Sequence, residues 1–191
     1  MHAAPHYDFV HAVAALLAIS LLLCALALLA VKQVHEQVRV YAVQSVFAAG
    51  YTLLVGIDRA DVALIVLAVW TAVIKVIVIP VSIDRQITSQ VSEHEVPLVV
   101  QVPMSLLIGV ALAGLAYWSG SVLPIHGALL PTPALGMPLA LVLVGFFFMI
   151  TRQNVISQIV GLLVLENGVF ARLIAARAKT TSIEDMAVLR G

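Results

Sequence analysis

The sequence predicts an all-α, polytopic membrane protein of about six transmembrane helices in a single domain. Of its 191 residues, 62% are hydrophobic and only 10% are charged, whereas about 25% of residues are charged in a soluble domain. A soluble core of this size cannot bury so much apolar surface. The apolar residues fall in continuous runs of about 20, the length of a membrane-spanning helix. Strands of a membrane barrel would instead alternate apolar and polar residues.

Polar or proline-rich segments divide the chain into six predicted helices and a tail. The first run follows a leader without Lys or Arg and is about 22 residues long, which predicts a retained helix and not a signal peptide. Pro80 should break the third helix. The uncharged, proline-rich stretch from 119 to 138 is predicted to be an interfacial loop. The predicted helices are about Val10–Val31, Val38–Ile57, Val62–Ile83, Pro97–Trp118, 136–151 and Gln153–Ala175, with a polar tail at 176–191.

The distribution of Lys and Arg predicts that the N-terminus lies outside the cytoplasm. In that orientation, four of the five basic residues in the first five loops are cytoplasmic: Lys32, Arg39, Arg85 and Arg152. The fifth, Arg59, lies outside. With six spans, the tail and its basic residues would also lie outside. Either the orientation is reversed, or a helix that should precede the tail is missing.

Composition and motifs argue against several functions. The ten basic and ten acidic residues balance, so no excess of positive charge indicates nucleic-acid binding. The single cysteine, Cys24, lies in an apolar run, and the chain has no CxxC or HExxH motif. We therefore expect no metal, iron–sulfur cluster or other cofactor in this chain. No nucleophile–base pair or phosphate loop indicates an enzyme acting alone.

Two acid–base residues lie deep within predicted helices and are the main functional candidates. Glu166 is about 13 residues into the sixth helix, roughly 20 Å from its start, and Lys75 is similarly deep in the third. A charge at mid-bilayer costs about 2.5–3.5 kcal/mol on insertion scales. Burial favours the neutral form of such groups, which suits a proton relay. Pro80 should free the carbonyl of Val76 as a partner for the Lys75 ammonium.

Other interpretations of both residues remain open. Lys75 could extend its amine to the interface near Ile83. Glu166 could be a neutral residue that only hydrogen-bonds between helices. Among the polar residues nearby, Asn167 could orient the Glu166 carboxyl. Gln44, Gln158 and Asn154 are more typical of hydrogen bonds between helices than of proton carriers.

Small residues define one face of the sixth predicted helix. Ser157, Gly161 and Gly168 recur at helical spacing, and Glu166 lies roughly 140–160° away from the two glycines. The glycine face should pack closely on a neighbouring helix. Glu166 should point elsewhere, towards another helix or another subunit.

The run ITRQNVISQIVGLLVLENGVF, Ile150 to Phe170, resembles the signature region of hydrogenase-4 component E, a membrane subunit of the formate hydrogenlyase type. YAVQS in the second helix, IKVIVIP in the third and the final SIEDMAVLRG extend the resemblance over most of the chain. The same region is similar to the K-type subunit of respiratory complex I and to the C-type subunit of multisubunit sodium/proton antiporters. The most specific part comprises Arg152, Asn154, Gln158, Gly161, Glu166, Asn167 and Gly168.

The resemblance implies a non-catalytic, multi-pass subunit of an oxidoreductase complex in the cell inner (cytoplasmic) membrane. In the similar subunits an intramembrane glutamate lies on the proton pathway, which assigns that role to Glu166. Lys75 becomes a second pathway residue, supported by Asn167, Gln158, Asn154, Arg152 and Gln44. The implied partners are antiporter-like membrane subunits and, indirectly, peripheral [NiFe] and iron–sulfur subunits. The ion moved would be a proton or sodium.

Members of that family normally continue into a further transmembrane helix after the Glu-Asn-Gly helix. Here a polar tail follows, so we expect that helix to be absent, which would explain the misplaced positive charge. A partner subunit would then complete the wall beside Glu166, or the chain would be a shortened, impaired variant. A structural anchor that moves no ion stays an alternative, as does an independent small transporter, although no inverted repeat supports the latter.

Overall fold

A computed structural model describes the backbone of residues 5–90, 100–122 and 136–188, and the side chains of residues 9–10, 12–83, 85, 100–120 and 136–174. The described residues are almost entirely helical, which confirms the all-α prediction. In chain order the helices are α1 (Pro5–Ala30), α2 (Val34–Asp58), α3 (Val62–Ala72), a π-helical turn (Val73–Val78), α4 (Ile79–Gln90), α5 (Val102–Val122), α6 (Gly136–Thr151) and α7 (Val155–Val188).

The described part of the chain holds five helical segments that are long and apolar enough to cross a membrane. They are Ala12–Ala30, Val34–Asp58, Val62–Ile83, Val102–Gly120 and Val155–Ile174. The remaining helix, α6, has 16 residues, about 24 Å at 1.5 Å per residue, which is short of the roughly 30 Å hydrocarbon core. The protein is therefore an all-α, polytopic membrane protein, with one predicted span shorter than the others.

Several predicted helix ends are wrong, because hydropathy marks the membrane boundary and not the end of a helix. α2 begins at Val34 and so includes the polar residues His35 and Glu36, which precede the predicted start at Val38. The third predicted helix continues beyond Ile83 to Gln90. Backbone hydrogen bonds also continue beyond the apolar part of α7, whose helix includes residues 176–188 of the predicted tail. This continuation suits the Ala, Arg, Lys and Glu there, which favour helix.

The bounds of α1 and α5 also differ from the prediction. α1 begins at Pro5 and α5 begins at Val102 and ends at Val122. Residues 97–99 of the predicted fourth helix lie outside the described residues, as do 123–135 of the predicted interfacial loop.

Pro80 does not break its helix. The turn before it widens into the π-helical segment Val73–Val78, and the Ile79 N–H bonds to the Ile74 carbonyl, five residues back. Because proline has no N–H to offer the carbonyl four residues earlier, a local change of hydrogen-bond register accommodates it without ending the helix. Lys75 lies within this widened turn.

Glycines set the close approach of α6 and α7. A Cβ on Gly145 would lie 2.7 Å from the Leu165 amide nitrogen, and one on Gly161 would lie 2.9 Å from the Met149 Cα. A Cβ on Gly168 would lie 2.8 Å from the Leu141 Cβ. The predicted packing face of α7 is therefore confirmed, and small residues allow the two backbones to approach as in other membrane helix pairs.

Four basic residues of the loops and helix ends gather at one end of the bundle, which we call the basic end: Lys32, Arg39, Arg85 and Arg152. The end of α1, the start of α2, the far part of α4 and the junction of α6 with α7 meet there. Arg59 lies at the opposite end, where α2 meets α3. The grouping of charges on which the orientation was argued is thus present in the fold, while the side of the membrane stays a prediction.

Candidate functional site

Lys75 and Glu166 form an ion pair within the membrane-spanning part of the bundle. Lys75 Nζ lies 3.0 Å from Glu166 Oε1. Lys75 belongs to the span Val62–Ile83 and Glu166 to the span Val155–Ile174, each near the middle of its segment. The pair therefore lies deep in the bilayer, where it brings together the two residues for which the sequence predicts a common role.

Asn167 and Phe170 hold the amine from the α7 side. Lys75 Nζ donates a hydrogen bond of 2.8 Å to Asn167 Oδ1, a residue 92 positions away in the chain. The amine also lies 5.8 Å from the centre of the Phe170 ring, within the range of a cation–π contact. Lys75 is 7% exposed, so it points into the bundle and does not extend to the interface. Its partners are on α7, and the expected bond to the Val76 carbonyl is not formed.

Glu166 differs from its partner in exposure. Its side chain is 53% exposed, whereas that of Lys75 is 9% exposed. The carboxylate thus contacts the interior amine through one oxygen and also reaches the outer surface of the bundle. A half-exposed carboxylate at this depth faces either lipid, which is costly, or another protein surface. The prediction that Glu166 points away from the glycine face is confirmed.

α2 packs on both α7 and the π-helical turn and carries buried polar groups. Tyr41 and Ser45 are both fully buried and are neighbours one helical turn apart. On α7 the Asn167 Nδ2 atom is also buried, without a hydrogen-bond partner in the described residues. Such atoms are normally satisfied by a polar neighbour or a bound water.

Arg152 forms a separate cluster at the basic end. Its Nη2 donates to the carbonyls of Leu28, Leu29 and Val31 at 3.1, 3.2 and 3.0 Å. The guanidinium also lies 4.7 Å from the centre of the Phe148 ring. The Leu28 and Leu29 carbonyls lie in the last turn of α1 and the Val31 carbonyl follows its end, so Arg152 caps that helix from another part of the chain. The Val31 N–H also donates to the Leu28 carbonyl. Burial lowers the pKa of Arg152 to about 10, which leaves it cationic at neutral pH.

The other predicted supporting residues do not contact the ion pair. Asn154 Oδ1 accepts from the Ile156 N–H, and Gln158 Nε2 donates to the Arg152 carbonyl, so both stabilise the start of α7. By helical rise Gln158 is about 12 Å from Glu166 along α7. Gln44 Nε2 donates to the Leu21 carbonyl of α1 at 3.0 Å, which is the hydrogen bond between helices that the sequence predicts.

A polar face of α2 was missed as a unit. Gln37, Tyr41, Gln44, Ser45 and Thr52 are all fully buried. Their spacing of three, four or seven residues places them on one helical face. The predicted second helix begins at Val38 and so excludes Gln37. In the structure Gln37 belongs to α2, and its Nε2 donates a hydrogen bond to the Val31 carbonyl. Applying helical periodicity to polar residues would have found this face.

The site joins the surface of the bundle to its interior. A proton can pass between Glu166 Oε1 and Lys75 Nζ across a single hydrogen bond. Asn167 keeps the amine directed at the carboxylate, and the outer part of Glu166 is accessible from outside the bundle. Comparison with family models, curated proteins and solved structures finds no match to this chain.

Proposed function

We propose that this chain is a membrane-arm subunit of a group 4 [NiFe]-hydrogenase or a related complex I-like respiratory complex in the cell inner (cytoplasmic) membrane. It contributes there to proton, or sodium, translocation coupled to electron transfer. The observation that carries the proposal is the Lys75–Glu166 pair, 3.0 Å apart and deep within the membrane. Intramembrane acid–base pairs are costly and are found on ion pathways. The sequence resemblance assigns the glutamate the same role.

The exposure of Glu166 supports a multisubunit setting. Its carboxylate is half-exposed on the outside of the bundle, where lipid would solvate it poorly. An antiporter-like membrane subunit covering this face would give the carboxylate polar neighbours. Proton transfer would then connect the partner, Glu166 and Lys75 in that order. The redox reaction belongs to the [NiFe] and iron–sulfur subunits in this proposal.

The first experiment is purification of the tagged chain in mild detergent, followed by mass spectrometry of the proteins that accompany it. Antiporter-like membrane subunits together with [NiFe] and iron–sulfur subunits are the expected result. Recovery of the chain alone, as an active oligomer, would contradict the proposal and favour an independent transporter.

The second experiment tests Glu166 in the assembled complex reconstituted into vesicles. Glu166→Gln keeps the shape of the side chain but cannot exchange a proton as a carboxyl does. We expect electron transfer and subunit composition to persist while ion movement per electron falls. Glu36→Gln is the matched control, because it makes the same chemical change at an exposed site of the basic end. Unchanged ion movement in Glu166→Gln would refute the relay.

A structural anchor is the second candidate. The same contacts that suit a relay also tie α7 to the π-helical turn, and Arg152 ties the α6–α7 junction to α1. In that case Glu166→Gln would reduce assembly of the complex, and the complexes that do assemble would move ions at the normal ratio.

A further inference from the structure

A groove between α2 and α4 opens at the basic end. It has a volume of about 300 Å³ and is lined by His35, Val38, Arg39, Ala42, Pro80 and Val81. This volume is at the lower end of the range for ligand sites, about 300–1,000 Å³. The groove lies apart from the Arg152 cap and is not lined by the Lys75–Glu166 pair.

The groove is apolar at depth and basic at its mouth. Ala42, Pro80 and Val81 lie further from the basic end along their helices than Arg39 and Arg85, and Val38 adds an apolar side chain beside Arg39. Arg39 lies in the second turn of α2, close to the start of that helix at Val34. On the opposite wall, Arg85 follows Val81 by four residues, which places the two on one face of α4. Arg85 is exposed and lies about 6 Å further along α4 than Val81 by helical rise, towards the basic end.

The cations at the mouth are available to an anion. Arg39 pairs with Glu36 at 2.7 Å, but the two side chains are 64% and 43% exposed. An ion pair this exposed contributes little, about 0–1 kcal/mol, and is easily exchanged for a phosphate, which guanidinium groups bind in a bidentate manner.

We propose that this groove binds an anionic phospholipid. Its phosphate would lie between Arg39 and Arg85, and one acyl chain would follow Val38, Ala42 and Val81 into the bilayer. A basic rim above an apolar cleft between spanning helices complements both parts of such a lipid. A peptide in the apolar part of the groove would leave its backbone polar groups without hydrogen-bond partners. A free anion would leave that apolar part empty. The proposal is independent of ion translocation.

The test is native mass spectrometry of the full chain in detergent, titrated with equal amounts of phosphatidylglycerol and phosphatidylcholine that carry the same acyl chains. The wild-type chain should retain phosphatidylglycerol preferentially. Arg39→Gln combined with Arg85→Gln should weaken that binding about tenfold or more, since each basic residue near the surface contributes to attraction of anionic lipid. Ala42→Phe should weaken binding of both lipids because it fills the apolar part.

Two control variants separate a site from diffuse attraction. Lys32→Gln removes one positive charge from the same end but outside the groove, and it should keep the preference. Glu36→Gln removes the acid that competes for Arg39, and it should strengthen binding. An equal affinity for the two lipids in the wild-type chain would overturn the proposal. So would an unchanged preference in the double Arg variant, or an equal loss in Lys32→Gln. Thermal unfolding of each variant checks that it is folded.

Discussion

Lys75 Nζ lies 3.0 Å from Glu166 Oε1, yet the two side chains differ sixfold in exposure, at 9% and 53%. The amine is enclosed by α7 residues, with Asn167 as a second hydrogen-bond acceptor. The carboxylate reaches the outer surface of the same helix. The pair is therefore asymmetric: the Lys75 amine is buried inside the bundle, whereas the Glu166 carboxylate is half-exposed on its outer surface. This asymmetry is the observation on which the proposed contact with a neighbouring subunit rests.

Replacing Lys75 with Met should destabilise the bundle, because it leaves Asn167 Oδ1 buried without its donor and Glu166 without its counter-charge. A buried polar atom deprived of its partner costs about 1–3 kcal/mol. In Lys75→Met combined with Glu166→Gln, the unpaired charge is removed, so the double variant should lose less than the sum of the single losses. Thermal unfolding in detergent measures the loss of stability in Lys75→Met, in Glu166→Gln and in the double variant. Strictly additive losses would show that the two residues are not coupled.

Replacing Arg152 with Met should have a larger effect, since it removes the two Nη2 hydrogens that three carbonyls at the end of α1 share. The Leu28 and Val31 carbonyls keep one other donor each. Hydrogen bonds from a charged donor contribute about 1.5–3 kcal/mol each, so a loss of about 3 kcal/mol or more is expected. Arg152→Lys should be intermediate, because an ammonium can donate but does not stack on Phe148 as a guanidinium does.

Arg39→Met is the control for this series. It removes the same side chain from an exposed position whose ion pair contributes about 0–1 kcal/mol. Unfolding temperatures of the three arginine variants should therefore fall in the order Arg39→Met, Arg152→Lys and Arg152→Met. An Arg152→Met variant as stable as Arg39→Met would show that the α1 carbonyls find other partners.

Gly145→Ala should separate α6 from α7, because its Cβ would lie 2.7 Å from the Leu165 amide nitrogen, a backbone atom that cannot move alone. Gly114→Ala is the matched control, as nothing lies within 4 Å of its Cβ position. Alanine favours helix over glycine by about 1 kcal/mol, so the control should be as stable as wild type or slightly more so. Thermal unfolding compares the stability of the two variants. Equal unfolding temperatures would contradict the close contact of Gly145 with Leu165.

Asp61→Ala should weaken the start of α3. The Asp61 side chain accepts from the Ala63 and Leu64 N–H groups at 2.9 and 3.3 Å, and loss of such a cap costs about 1 kcal/mol. Asp61→Asn should retain most of the stability, because an amide oxygen accepts the same bonds. Hydrogen exchange of the first turn of α3 measures the effect locally. Equal protection in both variants would show that the cap contributes nothing.

Helix content and deep polar residues could be predicted from the order of residues along the chain. Hydropathy marks where the chain enters lipid, and Glu166 and Lys75 are conspicuous within long apolar runs. Helix ends were harder to place. Helical hydrogen bonds continue past the apolar boundary at Val34 and beyond residue 175, and hydropathy carries no information on that continuation.

Three features arise only from tertiary packing. Lys75 contacts Asn167 across 92 positions of the chain, and Arg152 bonds carbonyls at the end of α1 more than 120 positions away. The groove at Arg39 exists because α2 and α4 lie side by side. Each depends on how helices are arranged and rotated, and apolar faces of similar composition do not specify that arrangement.

The amino-acid sequence alone determined that this is a helical membrane protein with an acid and an amine deep in its spans, since the absence of water in lipid compels backbone hydrogen bonding within each segment and makes every buried charge conspicuous. Tertiary packing, in contrast, brings Lys75 to Glu166, places Arg152 at the end of α1 and not at the pair, and leaves Glu166 half-exposed. These depend on the close α6–α7 contact at Gly145 and Gly161 and on the widened turn before Pro80, which set the position and rotation of each helix.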